Sequence, residues 1–256
     1  MPYTTVDGQR VFYACHASPT PESPSLILVH GAGGSHLHWG APIRMLPGAD
    51  VYALDLPGHG RSEGAGHGTI AGYAAFVVAF MDALHLPQAA VAGHSMGGAT
   101  ALAAALNDPQ RVAGLVLVGT GARLRVLPRI LEGTLHDFEN TVELICRYAY
   151  APHAPREMIY RGRQQMRTVA PRTIHDDFAA CNAYDVMERL GEIHCPTLVI
   201  VGTEDTLTLP KYSSFLAEHI AGAELKLVEG AGHMVMVEKA GEVAEAVAAA
   251  LARWNR

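Results

Sequence analysis

A single serine lies between two glycines in the stretch VAGHSMGGA, which covers residues 91–99. The apolar run before this serine is typical of a buried strand and the alanine-rich run after it of a helix, so we predict that Ser95 occupies the turn between them. Gly93 and Gly97 would let the strand and the helix pass closely, because neither carries a side chain. Such a turn holds the hydroxyl clear of the sheet, beside the positive end of the helix. Ser95 is therefore a candidate nucleophile.

A serine hydroxyl is a weak nucleophile at neutral pH unless a base, usually a histidine, removes its proton and a carboxylate orients that base. The chain contains 14 histidines, so position rather than composition must select one. His233 follows the last predicted strand in a glycine-rich segment, and Asp205 follows the predicted strand before it. Enzymes with parallel sheets build their sites at the carboxyl ends of the strands. We therefore predict that Ser95, Asp205 and His233 converge, with Glu204 as the adjacent alternative carboxylate.

The elements that must position these residues are visible as short apolar runs that alternate with longer amphipathic ones. Runs rich in valine, leucine and isoleucine predict buried strands. These runs cover residues 25–30, 51–56, 89–94, 113–119, 196–202 and 224–230. Helical periodicity predicts helices at residues 73–84, 96–106 and 242–254. This order is typical of an α/β protein with a mostly parallel sheet and helices on both faces.

The segment from Gly121 to Cys195 interrupts the alternation because it contains no convincing strand. Residues 129–150 and 156–169 have the character of helices, and prolines punctuate them. The simplest architecture is one α/β core, formed by residues 1–120 and 196–256, with a helical cap inserted at residues 121–195.

Composition limits the classes of function that remain. The chain has 256 residues, of which 49% are hydrophobic and 17% charged, and its formal net charge is −6. These values favour a folded domain with a sizeable core, and the absence of a long basic block argues against nucleic acid as a partner. The first residues lack the pattern of a secretory signal, and no apolar run is long enough for a membrane span. Four scattered cysteines predict free thiols and a cytoplasmic location.

Five motifs occur in an order that can be compared with known proteins. They are HGAGG at residues 30–34, DLPGHGRS at 55–62, GHSMGG at 93–98, GTED at 202–205 and GAGH at 230–233. Through these motifs the whole chain resembles the capped, esterase-like members of the α/β-hydrolase fold. The resemblance implies that Ser95 is the nucleophile, His233 the general base and acid, and Asp205 the residue that orients His233. One departure is that Pro210 follows the acid by five residues, where relatives usually have four.

The resemblance also implies an oxyanion hole, which would stabilise the negative oxygen of a tetrahedral intermediate. Its donors would be the backbone N–H groups of Ala32 and Met96, with Gly33 as a less favoured donor. We place five residues in the predicted substrate pocket: Gly33, His36, Trp39, Met158 and Met166. His36 and His38 offer nitrogen ligands, but no third ligand follows at a suitable spacing, so we predict no metal. The expected reaction requires no cofactor.

The remaining histidines and arginines have structural interpretations. His94 is expected to support the packing rather than act as the base, because adjacent residues on a tight turn point in different directions. We expect His30 to hold the oxyanion loop by a hydrogen bond, and His59 to belong to a structural turn. Arginines of the cap could bind a substrate carboxylate, although solvated helix faces with paired charges are the simpler interpretation.

These features predict a serine hydrolase that cleaves carboxylic esters of small or medium acyl substrates through an acyl-enzyme. A serine on the turn argues against the haloalkane dehalogenases and epoxide hydrolases of the α/β-hydrolase fold, which use aspartate at this position. A carbon–carbon bond or enol-lactone hydrolase of aromatic degradation remains an alternative, as do a cofactor-free perhydrolase and a ligand-binding receptor. We expect a small-molecule ester as the partner, with neither nucleic acid nor a membrane. The sequence does not determine the oligomeric state.

Overall fold

The computed structural model describes residues 2–20 and 22–255. Its strands are β1 (Tyr3–Val6), β2 (Gln9–His16), β3 (Ser25–Val29), β4 (Asp50–Leu54), β5 (Ala89–His94), β6 (Val112–Val118), β7 (Thr197–Gly202) and β8 (Glu224–Val228). They form one sheet in the order β1-β2-β4-β3-β5-β6-β7-β8. The β1–β2 and β2–β4 pairs are antiparallel, and the other neighbouring pairs are parallel. The carboxyl ends of β3 to β8 therefore meet at one edge, and each predicted strand is confirmed.

Helices cover both faces of this sheet. They are α1 (Ala41–Arg44), α2 (Ile70–Ala83), α3 (Met96–Asn107), α4 (Pro128–His136), α5 (Phe138–Ala149), α6 (Arg156–Met166), α7 (Pro171–Ala183), α8 (Pro210–His219), α9 (Val235–Glu238) and α10 (Ala240–Trp254). Neighbouring residues of a strand point to opposite faces. Ile27 accordingly packs in the cluster with α2 and α3, whereas Leu28 packs in the cluster with α1 and α10. In the described part of the chain, no helix is both long and apolar enough to cross a membrane.

Helices α4 to α7 follow one another between β6 and β7, in the segment that the sequence predicts as a cap. They enclose a small apolar cluster of their own, which includes Ile130, Val142, Met166 and Ile174. The single long helical run expected at residues 129–150 is divided into α4 and α5 at Asp137, whose φ of −148° and ψ of 59° are not helical. The boundaries of a separate cap remain a prediction.

The antiparallel hairpin of β1 and β2 was not predicted from the sequence. A two-residue turn at Asp7 and Gly8 joins these strands, with φ angles of 48° and 78°. Both angles lie in the left-handed region, which the Asp-Gly dipeptide of a hairpin turn adopts at low cost. The signal for this hairpin was therefore present in the sequence.

Candidate active site

Ser95 lies on the sharp turn between β5 and α3, where the glycine pattern predicted it. Its backbone has φ 53° and ψ −114°, a conformation that costs a non-glycine residue free energy. A methyl group on Gly93 would overlap the carbonyl group of Gly97, and one on Gly97 would overlap the carbonyl group of Val29. The two glycines thus permit the close passage of strand and helix. The Ser95 hydroxyl does not cap the helix that follows it, so it stays available to another partner.

Asp205 and His233 form a buried pair at the edge of the sheet next to this turn. The Nδ1 atom of His233 lies 2.9 Å from Oδ2 of Asp205. The backbone N–H groups of Leu207 and Thr208 donate to Oδ1 of Asp205 over 2.9 and 2.8 Å. The Thr208 hydroxyl donates to Oδ2 over 2.7 Å and lies 3.1 Å from Nδ1 of His233. Because Nδ1 faces the carboxylate, Nε2 of His233 is the nitrogen that can accept a proton.

The surroundings of Asp205 favour the ionised form of its carboxyl group. Burial alone raises the pKa of Asp205, but the nearby His233 and the hydrogen bonds from His233 and Thr208 outweigh burial and hold that pKa below its usual range. The Glu204 side chain is 39% exposed and lies 3.5 Å from the ring of His153, away from the pair. The geometry therefore favours Asp205 as the carboxylate that orients His233.

A cavity of about 370 Å³ contains both Ser95 and His233 in its wall. Core residues, among them Ala32, line one part of it. Side chains of α4 to α7, such as Ile145 and Phe178, line another part. This volume is in the range of small-molecule sites, and the mostly apolar lining is typical of them. Ser95 and His233 are thus brought to one ligand-sized space between the sheet edge and the inserted helices.

Three backbone N–H groups near Ser95 differ in whether they are free to bind an oxyanion. The N–H group of Gly33 donates to Oδ2 of Asp177 over 2.9 Å, so it is already occupied. Within the residues that the structure describes, the Ala32 N–H group has no hydrogen-bond partner, and Ala32 lines the cavity. Met96 is the first residue of α3, and the first N–H groups of a helix have no partner inside it. Its side chain is fully buried, so Met96 can contribute only through its backbone.

The cavity wall includes Met166 but not the other four residues of the predicted pocket. His36 is instead held at Asp55, to which its Nδ1 atom donates over 2.8 Å. Trp39 is fully buried in the core cluster on the α10 side of the sheet, and Met158 packs at the edge of the same cluster. Gly33 faces the side chains of α6 and α7. For Gly33, His36, Trp39 and Met158 the pocket prediction was wrong, because contacts with other segments of the fold hold them outside the cavity wall.

Asp177 of α7 is a fully buried carboxylate that the sequence analysis missed. Besides the N–H group of Gly33, it accepts hydrogen bonds from Nε2 of His59 over 2.8 Å and from the hydroxyl of Tyr73. The Nδ1 atom of His59 faces the carbonyl oxygen of Pro57 at 3.0 Å, so both ring nitrogens face acceptors. Burial lowers the pKa of His59, but Asp177 outweighs it and the pKa is raised. The buried His59–Asp177 pair thus ties the inserted helices to the loop after β4.

Three other buried histidines have the opposite electrostatic character. Burial, with further contributions from neighbouring histidines, lowers the pKa of His30, His38 and His94, to about 4 for His38. His30 donates from Nδ1 to the carbonyl of Gly31 and accepts at Nε2 from the N–H group of Leu56, a pattern that requires a neutral ring. His94 donates from Nε2 to the carbonyl of His233 over 3.1 Å. Both rings therefore support the loops of the site.

Comparisons with known proteins agree with this architecture. The sequence profile of the α/β-hydrolase fold matches residues 24–240. A solved structure of a thermophilic esterase superimposes with a TM-score of 0.87 at 36% identity, covering 99% of this chain and 97% of its own. The enol-lactonase from Burkholderia xenovorans LB400 superimposes with a TM-score of 0.91 at 25% identity, covering 98% of this chain and all of its own, 100%.

A further relative is named as a hydrolase of a different substrate. The 2-hydroxy-6-oxo-6-phenylhexa-2,4-dienoate hydrolase of Comamonas testosteroni is 28% identical over 252 residues, which are 90% of this chain and 88% of the relative. One of these three proteins is named an esterase, one an enol-lactonase and one a dienoate hydrolase, so their names describe hydrolysis of different bonds. The similarity therefore limits the reaction class and leaves the substrate to the chemistry of the cavity.

Proposed function

Because the chain belongs to the α/β-hydrolase fold family, we propose that it is a serine hydrolase that cleaves carboxylic esters through an acyl-enzyme. The observation that carries the proposal is the shared cavity of Ser95 and His233, with His233 bonded through Nδ1 to the buried Asp205. This is the relation that a nucleophile, its base and an orienting carboxylate require. The free thiols of its cysteines support a cytoplasmic location.

The proposed reaction proceeds in two halves. His233 takes the proton of Ser95 at Nε2 while the serine oxygen attacks the ester carbonyl carbon. The N–H groups of Ala32 and Met96 donate to the oxyanion, and each such donor contributes about 3 kcal/mol to lowering the barrier. The bond to the alcohol then breaks, and His233 gives its proton to the departing oxygen. In the second half His233 deprotonates a water molecule, whose oxygen attacks the acyl carbon. The bond from that carbon to the Ser95 oxygen then breaks, His233 returns the proton to this oxygen, and the acid leaves.

Asp205 and Thr208 have supporting parts in this mechanism. Asp205 keeps the proton of His233 on Nδ1 and stabilises the imidazolium that forms when Nε2 is protonated. Thr208 holds Oδ2 of Asp205 by a charge-assisted hydrogen bond of 2.7 Å, which favours the ionised carboxylate. The cavity of about 370 Å³ fits a small or medium acyl group, and Met166 contributes to its apolar wall.

A series of p-nitrophenyl esters from acetate to decanoate tests the proposal on the wild type and on Ser95→Ala. We expect the substitution to lower kcat/KM by about ten-thousand-fold or more, because the nucleophile is lost while binding remains. Ser214→Ala, a serine of α8 outside the cavity wall, is the matched control and should keep wild-type rates. Equal rates for the wild type and Ser95→Ala would refute the proposal.

An enol-lactone hydrolase is the second candidate, supported by the lactonase that superimposes with a TM-score of 0.91. The same residues would open a ring ester, so the acyl-enzyme would carry its own alcohol. Parallel assays with an enol-lactone and with a vinylogous diketo acid distinguish this reaction and carbon–carbon cleavage from the hydrolysis of open-chain esters. We expect the highest kcat/KM with open-chain esters.

A further inference from the structure

The cavity that contains Ser95 has a positive rim in a chain of negative net charge. Arg123 and Arg125, which follow β6, both line it. Among the residues that the structure describes, no aspartate or glutamate lines the cavity. The formal charge of the whole chain is −6, so the cationic character is a local property of this rim.

The two arginines share one carboxylate at long range. Asp185 Oδ2 lies 3.7 Å from Arg123 and 3.9 Å from Arg125. By contrast, Arg163 has Glu143 as a carboxylate partner at 2.7 Å. Arg125 also donates to a backbone carbonyl over 2.8 Å, which fixes its position but supplies no full negative charge. Two guanidinium groups against one carboxylate leave about one positive charge at the rim.

Apolar side chains surround this charge. Leu127, Leu209 and Tyr212 line the same cavity although they are 53%, 38% and 39% exposed. Large apolar groups with this exposure beside a cavity are typical of a ligand-binding surface. The two arginine side chains are 48% and 61% exposed, so they lie where a ligand would leave the apolar space for solvent. A matching ligand has an apolar body and an anionic end.

We propose that Arg123 and Arg125 form a subsite for a carboxylate carried by the substrate. The preferred substrates are then esters whose acyl chain ends in a carboxylate, such as half esters of dicarboxylic acids. One excess positive charge matches a monoanion better than a phosphate monoester, which carries nearly two negative charges at neutral pH. The planar guanidinium group also matches the two oxygens of a carboxylate. This inference rests on the proposed esterase activity.

The test compares p-nitrophenyl esters of adipic, suberic and sebacic acid, each with its second carboxyl group either free or methylated. The measured quantity is selectivity, the kcat/KM of the free acid divided by that of the methyl ester. We expect selectivity above one in the wild type and a loss of about tenfold in the double variant R123Q/R125Q. Asp185→Asn should raise selectivity, because it removes the competing charge and keeps an oxygen for the N–H group of Met187.

Arg161→Gln is the matched control, since Arg161 is 78% exposed, pairs with Glu157 and lies outside the cavity wall. It should keep the wild-type selectivity. A selectivity of one in the wild type, or one that R123Q/R125Q leaves unchanged, would overturn the subsite. A higher kcat/KM for a phosphate-ended ester of equal length would overturn the choice of carboxylate.

Binding separates the subsite from the esterase proposal. Calorimetry on Ser95→Ala measures the Kd of monomethyl suberate and of dimethyl suberate without turnover. We expect tighter binding of the half ester and a loss of that preference when R123Q/R125Q is added. If no ester is hydrolysed but this preference is found, the proposed function fails and the subsite stands. If esters are hydrolysed but the half ester binds no more tightly than the diester, the proposed function stands and the subsite fails.

Discussion

Replacing Asp177 by asparagine should destabilise the protein, and most strongly at acidic pH. The carboxylate is fully buried and accepts hydrogen bonds from His59, Gly33 and Tyr73. Asparagine has nearly the same shape, but it removes the negative charge opposite the His59 ring. Its amide N–H₂ group also faces donors, where the carboxylate offered acceptors.

The size of the loss in free energy of unfolding depends on whether His59 is protonated. Breaking one side of a buried charge pair costs about 3 kcal/mol or more of the free energy of unfolding. The pKa of His59 is raised in the folded protein, so its stabilising effect is complete below its unfolded pKa of about 6.5 and is lost as pH rises through the folded pKa. Where His59 is neutral, no charge pair is broken, and the loss of hydrogen bonds to the carboxylate costs about 1.5 kcal/mol.

Urea unfolding of the wild type and Asp177→Asn near about pH 5.5 and about pH 8.5 measures both values, one on each side of the ordinary histidine pKa. The neighbouring Asp176→Asn is the matched control, because Asp176 pairs with the exposed Arg172 and such pairs contribute little. A loss that is equal at the two pH values, or no greater than that of Asp176→Asn, would refute the charged pair. Since Asp177 also holds the Gly33 N–H group, kcat for ester hydrolysis should fall as well.

Four further substitutions test separate parts of the structure. Gly97→Ala should lower the free energy of unfolding by about 2 kcal/mol, because its methyl group meets the Val29 carbonyl. Gly241→Ala, in open space on α10, should raise the free energy of unfolding by about 1 kcal/mol. Equal effects of the two substitutions in urea unfolding would contradict this. Thr208→Val should raise the pKa of Asp205, because its carboxylate loses a hydrogen bond. Titration of the carboxyl carbon by NMR measures this pKa, and an unchanged value would contradict the part assigned to Thr208. Wild-type stability should fall by about 1.4 kcal/mol per pH unit for each buried neutral histidine below about pH 6.5. His38→Gln should reduce the slope of stability against pH by about 1.4 kcal/mol per pH unit, the contribution of one proton, between about pH 6.5 and about pH 4. An unchanged slope would show that other groups take up the proton.

Sequence reasoning located the elements of the sheet because buried strands leave a local signal. β5 was predicted at residues 89–94, which are its bounds in the structure. The glycines around Ser95 were interpretable for the same reason, since the close passage of strand and helix is a local constraint. The hairpin at Asp7 and Gly8 was missed although its turn residues are a known signal.

Contacts between distant segments explain the remaining errors. Asp177 is one of two adjacent aspartates on a helix, and its partners Gly33, His59 and Tyr73 are 144, 118 and 104 residues away in the chain. No local pattern distinguishes it from Asp176. His36 was assigned to the pocket because it follows the oxyanion loop, but its bond to Asp55, which directly follows β4, turns it away.

The central claim is that Ser95 is the residue that becomes acylated, and covalent labelling with a fluorophosphonate tests it most directly. We predict one adduct per chain by intact mass, located at Ser95 by peptide mapping. The adduct should be absent from Ser95→Ala and should form more slowly in Asp205→Asn, where the orientation of His233 is lost. An unlabelled wild type, or a stoichiometric adduct on a different residue, would contradict the account.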